Sequence, residues 1–99
     1  MKHKKLLQDL FHAAVDAALP EHTIRDYLPH PPVGRTVVIG CGKAAATMAK
    51  AFEEAWEYPL EGVVVTRYGH KVPTRSIKVL EASHPIPDEA GMAAALEMQ

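Results

Sequence analysis

Apolar residues recur at helical spacing from Lys4 to Leu19. Leu6, Leu7, Leu10, Phe11, Ala14, Val15 and Ala18 take one side, and Lys5, Gln8, Asp9, His12 and Asp16 the other. That period predicts an amphipathic helix. Pro20 ends it, because proline lacks an amide donor and crowds the preceding turn. Glu21–Leu28 leaves room for one more helical turn, and Pro29-His30-Pro31-Pro32 is a stiff, extended spacer. The pattern then changes. Arg35–Ile39 is β-branched and almost wholly apolar, which predicts a strand buried on both faces. Gly40-Cys41-Gly42 breaks it. Helical spacing returns over Lys43–Glu57. Ala45, Met48, Ala49, Phe52 and Trp56 form its apolar face, while Thr47, Lys50, Glu53, Glu54 and Glu57 form its wet one. Pro59 lies just past its end, where a terminator belongs.

Gly62–Thr66 reads as a second buried strand and Ile77–Ala82 as a third, joined by the polar stretch Arg67–Ser76. Asp88 is placed to cap a last helix, and Glu89 favours its first turn. The order is therefore α, β, α, β, β, α. Strand, glycine turn, helix and strand make a right-handed βαβ unit with parallel strands. The link to the third strand is short for a parallel crossover; it leaves either a loop crossover or an antiparallel return, and parallel pairing is the expectation. Three strands leave at least one sheet edge open, and the last helix carries no stop signal. Both points suggest a part of something larger, or a chain that pairs with a second copy.

Composition narrows the classes. The chain has 99 residues, one cysteine, 47% hydrophobic and 23% charged residues, and a net charge of −1. One cysteine makes neither an internal disulfide nor a thiolate metal cluster. A near-neutral balance lacks the footprint of a nucleic-acid binder. No run reaches the roughly 18 apolar residues of a membrane span. The basic start Met1–Lys5 runs into Gln8, Asp9, His12 and Asp16 rather than a signal-peptide core. One small, soluble, cytoplasmic domain is expected, with no nucleic-acid or membrane partner.

The chemistry gathers in two loops. In Val37-Val38-Ile39-Gly40-Cys41-Gly42-Lys43-Ala44-Ala45, a strand feeds a Gly-x-Gly turn and then a helix. Helix starts expose unpaired N–H groups and the positive end of the dipole, and Lys43 adds a full charge there. The spacing rejects a P-loop: Gly40 and Gly42 are too close, and Ala44 follows the lysine. Gly40, Gly42 and Ala45 fit a relaxed dinucleotide fingerprint, but the next strand ends in Thr66-Arg67 rather than an acid. The arginine would suit a 2′-phosphate, as in NADP. A general phosphate or carboxylate site is the second reading, and a tight turn with a solvated lysine the third. The other loop, Ser83-His84-Pro85-Ile86-Pro87-Asp88, offers His84 as acid, base or phosphate donor; alternatively His84 and Asp88 only fix the loop and cap the helix. Parallel strands would bring Gly42, Lys43, Arg67, Ser83 and His84 to one sheet edge. His3, His12, His22 and His30 show no metal-ligand spacing, and His70 is a weak candidate at that edge. Cys41 is a small filler or a low-pKa thiol. No metal site is expected.

Three collinear segments carry a family resemblance: Gly40–Ala45, Gly62-Val63-Val64-Val65-Thr66-Arg67-Tyr68-Gly69-His70, and Glu81-Ala82-Ser83-His84-Pro85-Ile86-Pro87-Asp88-Glu89-Ala90-Gly91. Together they resemble the N-terminal part of the type-II glycerate kinases, the MOFRL family, whose members also carry the name hydroxypyruvate reductase. The resemblance covers nearly the whole chain. It implies an α/β architecture, a Rossmann-like three-layer fragment with a mainly parallel sheet and flanking helices. Residues 1–99 would be a partial N-terminal domain, with the C-terminal domain absent and the active site in the cleft between the two. It implies ATP-dependent phosphorylation of D-glycerate to 2-phosphoglycerate, with ATP and Mg²⁺ used by the full-length enzyme and no cofactor held tightly by this fragment. Lys43 matches the family's catalytic lysine. Gly40, Gly42, Ala44, Ala45, Arg67, Ser83 and His84 become candidates for binding substrate or phosphate. Family chains are several times longer and carry further essential groups later on, so the fragment is expected to be inactive alone. Its partners would be glycerate, nucleotide, and either a second copy or the missing domain. An NADP-dependent hydroxypyruvate reductase and a non-catalytic, self-associating domain are the alternatives.

Overall fold

The computed structural model describes residues 2–99; Met1, at the head of the basic start, lies outside them. The elements in chain order are α1 (Lys2–Ala18), α2 (Pro20–Thr23), a 3₁₀ turn (Ile24–Tyr27), β1 (Val37–Cys41), α3 (Ala45–Ala55), β2 (Glu61–Arg67), β3 (Ile77–Ala82) and α4 (Glu89–Met98). Pro20 opens α2 at its first turn, where its missing donor costs nothing. The described strands form one sheet in the order β1-β2-β3, parallel throughout. The connection 68–76 crosses without a helix, and the parallel expectation holds.

Side chains alternate across a strand, and the register sorts them. Val64 pairs with Gly40 on one side and with Val79 on the other. With Ile77 and Val38 they face α3, whose Ala45, Ala46 and Ala49 complete the core. Alanines let α3 lie close to the sheet; Ala46 is fully buried. On the opposite face Lys78 reaches Glu97 of α4, and Gly91 of α4 lies beside Ala82. Helix, sheet and helix thus make the expected three layers. A Cβ at Gly62 would stand 2.2 Å from the Val38 carbonyl oxygen, so β1 and β2 approach over a glycine.

Four sequence expectations need correction. β1 begins and ends two residues later than expected, because Gly40 and Cys41 stay in the ladder opposite Val64 and Val65. β1 is not buried on both faces: Val37, Ile39 and Cys41 are exposed. It is an edge strand, and α4 packs chiefly against β2 and β3. The second helix is shorter at both ends; Lys43 and Ala44 belong to the turn, and Trp56 caps the C-terminus while stacking on Phe52. Glu53 is not on a wet face but is 4% exposed, because its carboxylate accepts the amides of residues 75–77. The apolar stripe of α1 exists, but no described residue of α1 is buried.

Candidate functional site

Parallel pairing puts the C-terminal ends of all three strands at one edge, the usual ligand edge of an open α/β sheet. β1 leaves the sheet through Gly42, whose φ of +126° is the left-handed geometry that glycine adopts at little cost. Its N–H still donates to the Val65 carbonyl (3.2 Å), and its carbonyl accepts from Ala45 N–H (3.1 Å). These bonds fold residues 42–45 into a tight turn. Thr66, 2% exposed, donates its hydroxyl to the Lys43 carbonyl at 3.2 Å and so fixes the lysine's backbone from β2. The turn therefore stands with the Lys43 side chain exposed.

Two of the amides counted on for an anion, those of Gly42 and Ala45, are already engaged. The amides of Lys43 and Ala44 remain as candidates. Ala44 stands at the N-cap of α3 and offers no side-chain cap, so the first-turn donors find no protein acceptor of that kind. Gly40 sits one pleat back, half-buried beside Val64, and Ala45 is buried; both back the loop rather than face outward.

Arg67 ends β2 opposite Ala82, and Ser83 and His84 follow directly. All three are exposed. Among the described residues, neither Lys43 nor Arg67 forms an ion pair. The structure brings Lys43, Arg67, Ser83 and His84 to the same edge, with no side-chain hydrogen bond or ion pair among them in the described residues.

Asp88 organises the second loop. Its Oδ1 accepts from Gly91 N–H (3.0 Å), capping α4 as expected, and from Ser83 N–H (3.3 Å). Its Oδ2 accepts the Tyr68 hydroxyl at 2.7 Å. The Tyr68 bond first, and then the Gly91 and Ser83 amides, hold the Asp88 carboxyl below its ordinary value against the opposing push of burial. The same bond, with slight burial and the charges of Asp88 and Glu81, holds the Tyr68 phenol above its own. Glu81 accepts Gly69 N–H at 2.7 Å. Sequence reasoning missed Thr66, Tyr68 and Glu81. Only Thr66 left a signal, a lone hydroxyl at the end of an apolar strand.

A concavity of about 520 Å³ lies at the other end of the sheet between Pro31–Thr36 and Tyr58–Glu61. Its charged pair, Arg35 and Glu61, is self-satisfied, so it lacks the free cations of the loop edge. An apolar groove of about 240 Å³ runs beside the glycine turn, between β1 and α3. Among the described residues no three His, Cys, Asp or Glu side chains group to hold a metal, and no helix is long and apolar enough to cross a membrane.

Residues 6–99 match a family described as a domain of unknown function, DUF4147. A protein of Agrobacterium vitis, provisionally named a hydroxypyruvate reductase, is 50% identical over 93 residues, covering 93% of this chain and 21% of that protein. The D-glycerate 2-kinase of Thermotoga maritima is 38% identical over 88 residues, covering 87% of this chain and 21% of that one. The crystal structure of a Thermotoga maritima glycerate kinase superposes with a TM-score of 0.81 at 34% identity, over 97% of this chain and 24% of that chain. The chain thus spans about a fifth to a quarter of the length of these relatives.

Proposed function

Given that this chain belongs to the DUF4147 family, we propose that it supplies the phosphate-anchoring half of an ATP-dependent kinase acting on D-glycerate to give 2-phosphoglycerate. The observation that carries this reading is the glycine turn. It presents Lys43 at an uncapped helix start, with no described carboxylate to neutralise it. Phosphoryl transfer asks chiefly for positioning and charge neutralisation. Lys43 would neutralise oxygens of the transferring group, and the Lys43 and Ala44 amides would add the helix dipole. Arg67 would hold a second anionic group, and Ser83 and His84 would line the facing wall. Mg²⁺ would arrive with the nucleotide and needs no protein cluster at this edge. Relatives named glycerate 2-kinase support the same reading. The rest of the machinery would come from a further domain, so the isolated chain binds without turning over.

A second reading is an NADP-dependent hydroxypyruvate reductase. The name of the Agrobacterium vitis relative and the placement of Arg67 at the end of β2 favour it. Titrating the chain separately with Mg·ATP and NADPH, and following the Lys43 and Ala44 amides by NMR, separates the two. Saturable shifts with Mg·ATP are expected. Preferential binding of NADPH would replace the kinase reading with the reductase. In a full-length relative, alanine at the position aligned with Lys43 should lower turnover by about 10²–10³-fold with the fold intact; near-normal turnover would sink the kinase assignment.

A further inference from the structure

The two loops at the strand ends are held in different ways. The glycine turn is fixed from the sheet itself, by the Val65 carbonyl and the Thr66 hydroxyl. The Ser83–Pro87 loop is tied through one carboxylate. Two of the bonds to Asp88, from Ser83 and Gly91, are local and close the loop onto the α4 cap. The third reaches across to Tyr68, 20 residues away in sequence, and links the loop to the end of β2 beside Arg67. The segment carrying Tyr68 is itself pinned. Tyr68 N–H donates to Ala82 O (3.2 Å), His70 N–H to Arg67 O (3.0 Å) and Gly69 N–H to Glu81 Oε2 (2.7 Å). Tyr68 is 52% exposed, and among the described residues its ring has no aromatic partner. Its hydroxyl bond to Asp88 is the hydrogen bond its side chain makes within the described residues.

We propose that Tyr68 is a positioning residue whose hydroxyl, acting through Asp88, sets where Ser83 and His84 stand relative to Lys43 and Arg67 before any anion arrives. This rests on the reading of the edge as a phosphate site. It adds that the two walls of that site are aligned in advance through the end of β2, rather than assembled by the ligand. Tyr68→Phe removes the tie and leaves the Asp88 cap of α4 in place.

The test compares the chain with Tyr68→Phe by NMR. Without ligand, Ser83 amide exchange should accelerate at least tenfold in the variant while Gly91 exchange and helix content hold. With inorganic tripolyphosphate, the native chain should show shifts at both Lys43–Ala44 and Ser83–His84. In the variant the Lys43 shifts should persist and the Ser83–His84 shifts should collapse. Unchanged Ser83 exchange would overturn the proposal. So would equal loss of both sets of shifts with a lowered Tm, which would mark Tyr68 as a fold residue only. Faster exchange in Asp88→Asn but not in Tyr68→Phe would place the effect in the cap and also overturn it. If tripolyphosphate moves neither loop in the native chain, the phosphate reading fails, and Ser83 exchange alone decides whether the tie exists.

Discussion

The two ends of the sheet treat charge in opposite ways. At the N-terminal end six charged side chains, Glu53, Arg75, Arg35, Glu61, Lys78 and Glu97, find partners in the fold. Glu53 accepts the amides of Arg75 and Ser76 at 2.6 and 3.0 Å and that of Ile77 at 3.3 Å, and the Arg75 guanidinium returns to the Glu53 carbonyl at 3.1 Å. Arg35 pairs with Glu61, and Lys78 with Glu97. At the C-terminal end the carboxylates of Glu81 and Asp88 are engaged by loop donors, but Lys43 and Arg67 pair with no described acid. The first end uses charge to hold the fold. The second leaves positive charge available for a ligand. Substitutions should therefore divide: stability at one end, binding at the other.

The sharpest test of the stabilising end is Glu53→Ala. It strands three backbone donors in a partly buried place and should lower stability by about 2–3 kcal/mol, read as a drop in urea midpoint. A midpoint unchanged within error would mean that this end is not held by charge. Gly62→Ala follows, because its Cβ must displace the Val38 carbonyl. A loss of about 1–3 kcal/mol is expected, with anion binding kept at whatever fraction stays folded.

Acid should act at the same end. Burial pushes the Glu53 carboxyl up, but the three amides and the Arg75 charge outweigh it, and the net shift is below the ordinary 4.5. A lowered folded value means the unfolded chain binds more protons between the two values. The stabilisation is thus full above about pH 4.5 and is lost as pH falls through the folded value. Tm measured across that range should fall more steeply in the native chain than in Glu53→Gln; parallel curves would remove Glu53 from the account. The smallest effect belongs to Lys78→Ala. It breaks an exposed pair worth about 0–1 kcal/mol, so a large Tm drop there would blur the division between the two ends.

Much of the molecule was legible in the sequence. The βαβ order and the Asp88 cap followed from local pattern, since β-branched runs, glycine turns and capping residues act within a few positions; the direction of the third strand did not, because its short link allowed an antiparallel return as well as the parallel pairing that was expected and is found. What sequence could not show were the contacts made across the chain. Glu53 looks like any helix-surface acid until residues 75–77 fold over it. Val37 and Ile39 look like core until β1 takes the edge and α4 lies elsewhere. Leu10 and Phe11 follow the same periodicity as the buried alanines of α3, yet they stay exposed; periodicity predicts a face, not what covers it. At the site, the gathering of Lys43, Arg67, Ser83 and His84 was foreseen from strand direction. The engagement of the Gly42 and Ala45 amides and the hold of Thr66 on Lys43 required the register.

The measurement that bears most directly on the account is a tripolyphosphate titration of the native chain and Lys43→Ala, with the urea midpoint of each recorded alongside. The account predicts saturable binding in the native chain, at least tenfold weaker binding in Lys43→Ala, and matching midpoints. Equal affinity in the two proteins would contradict it.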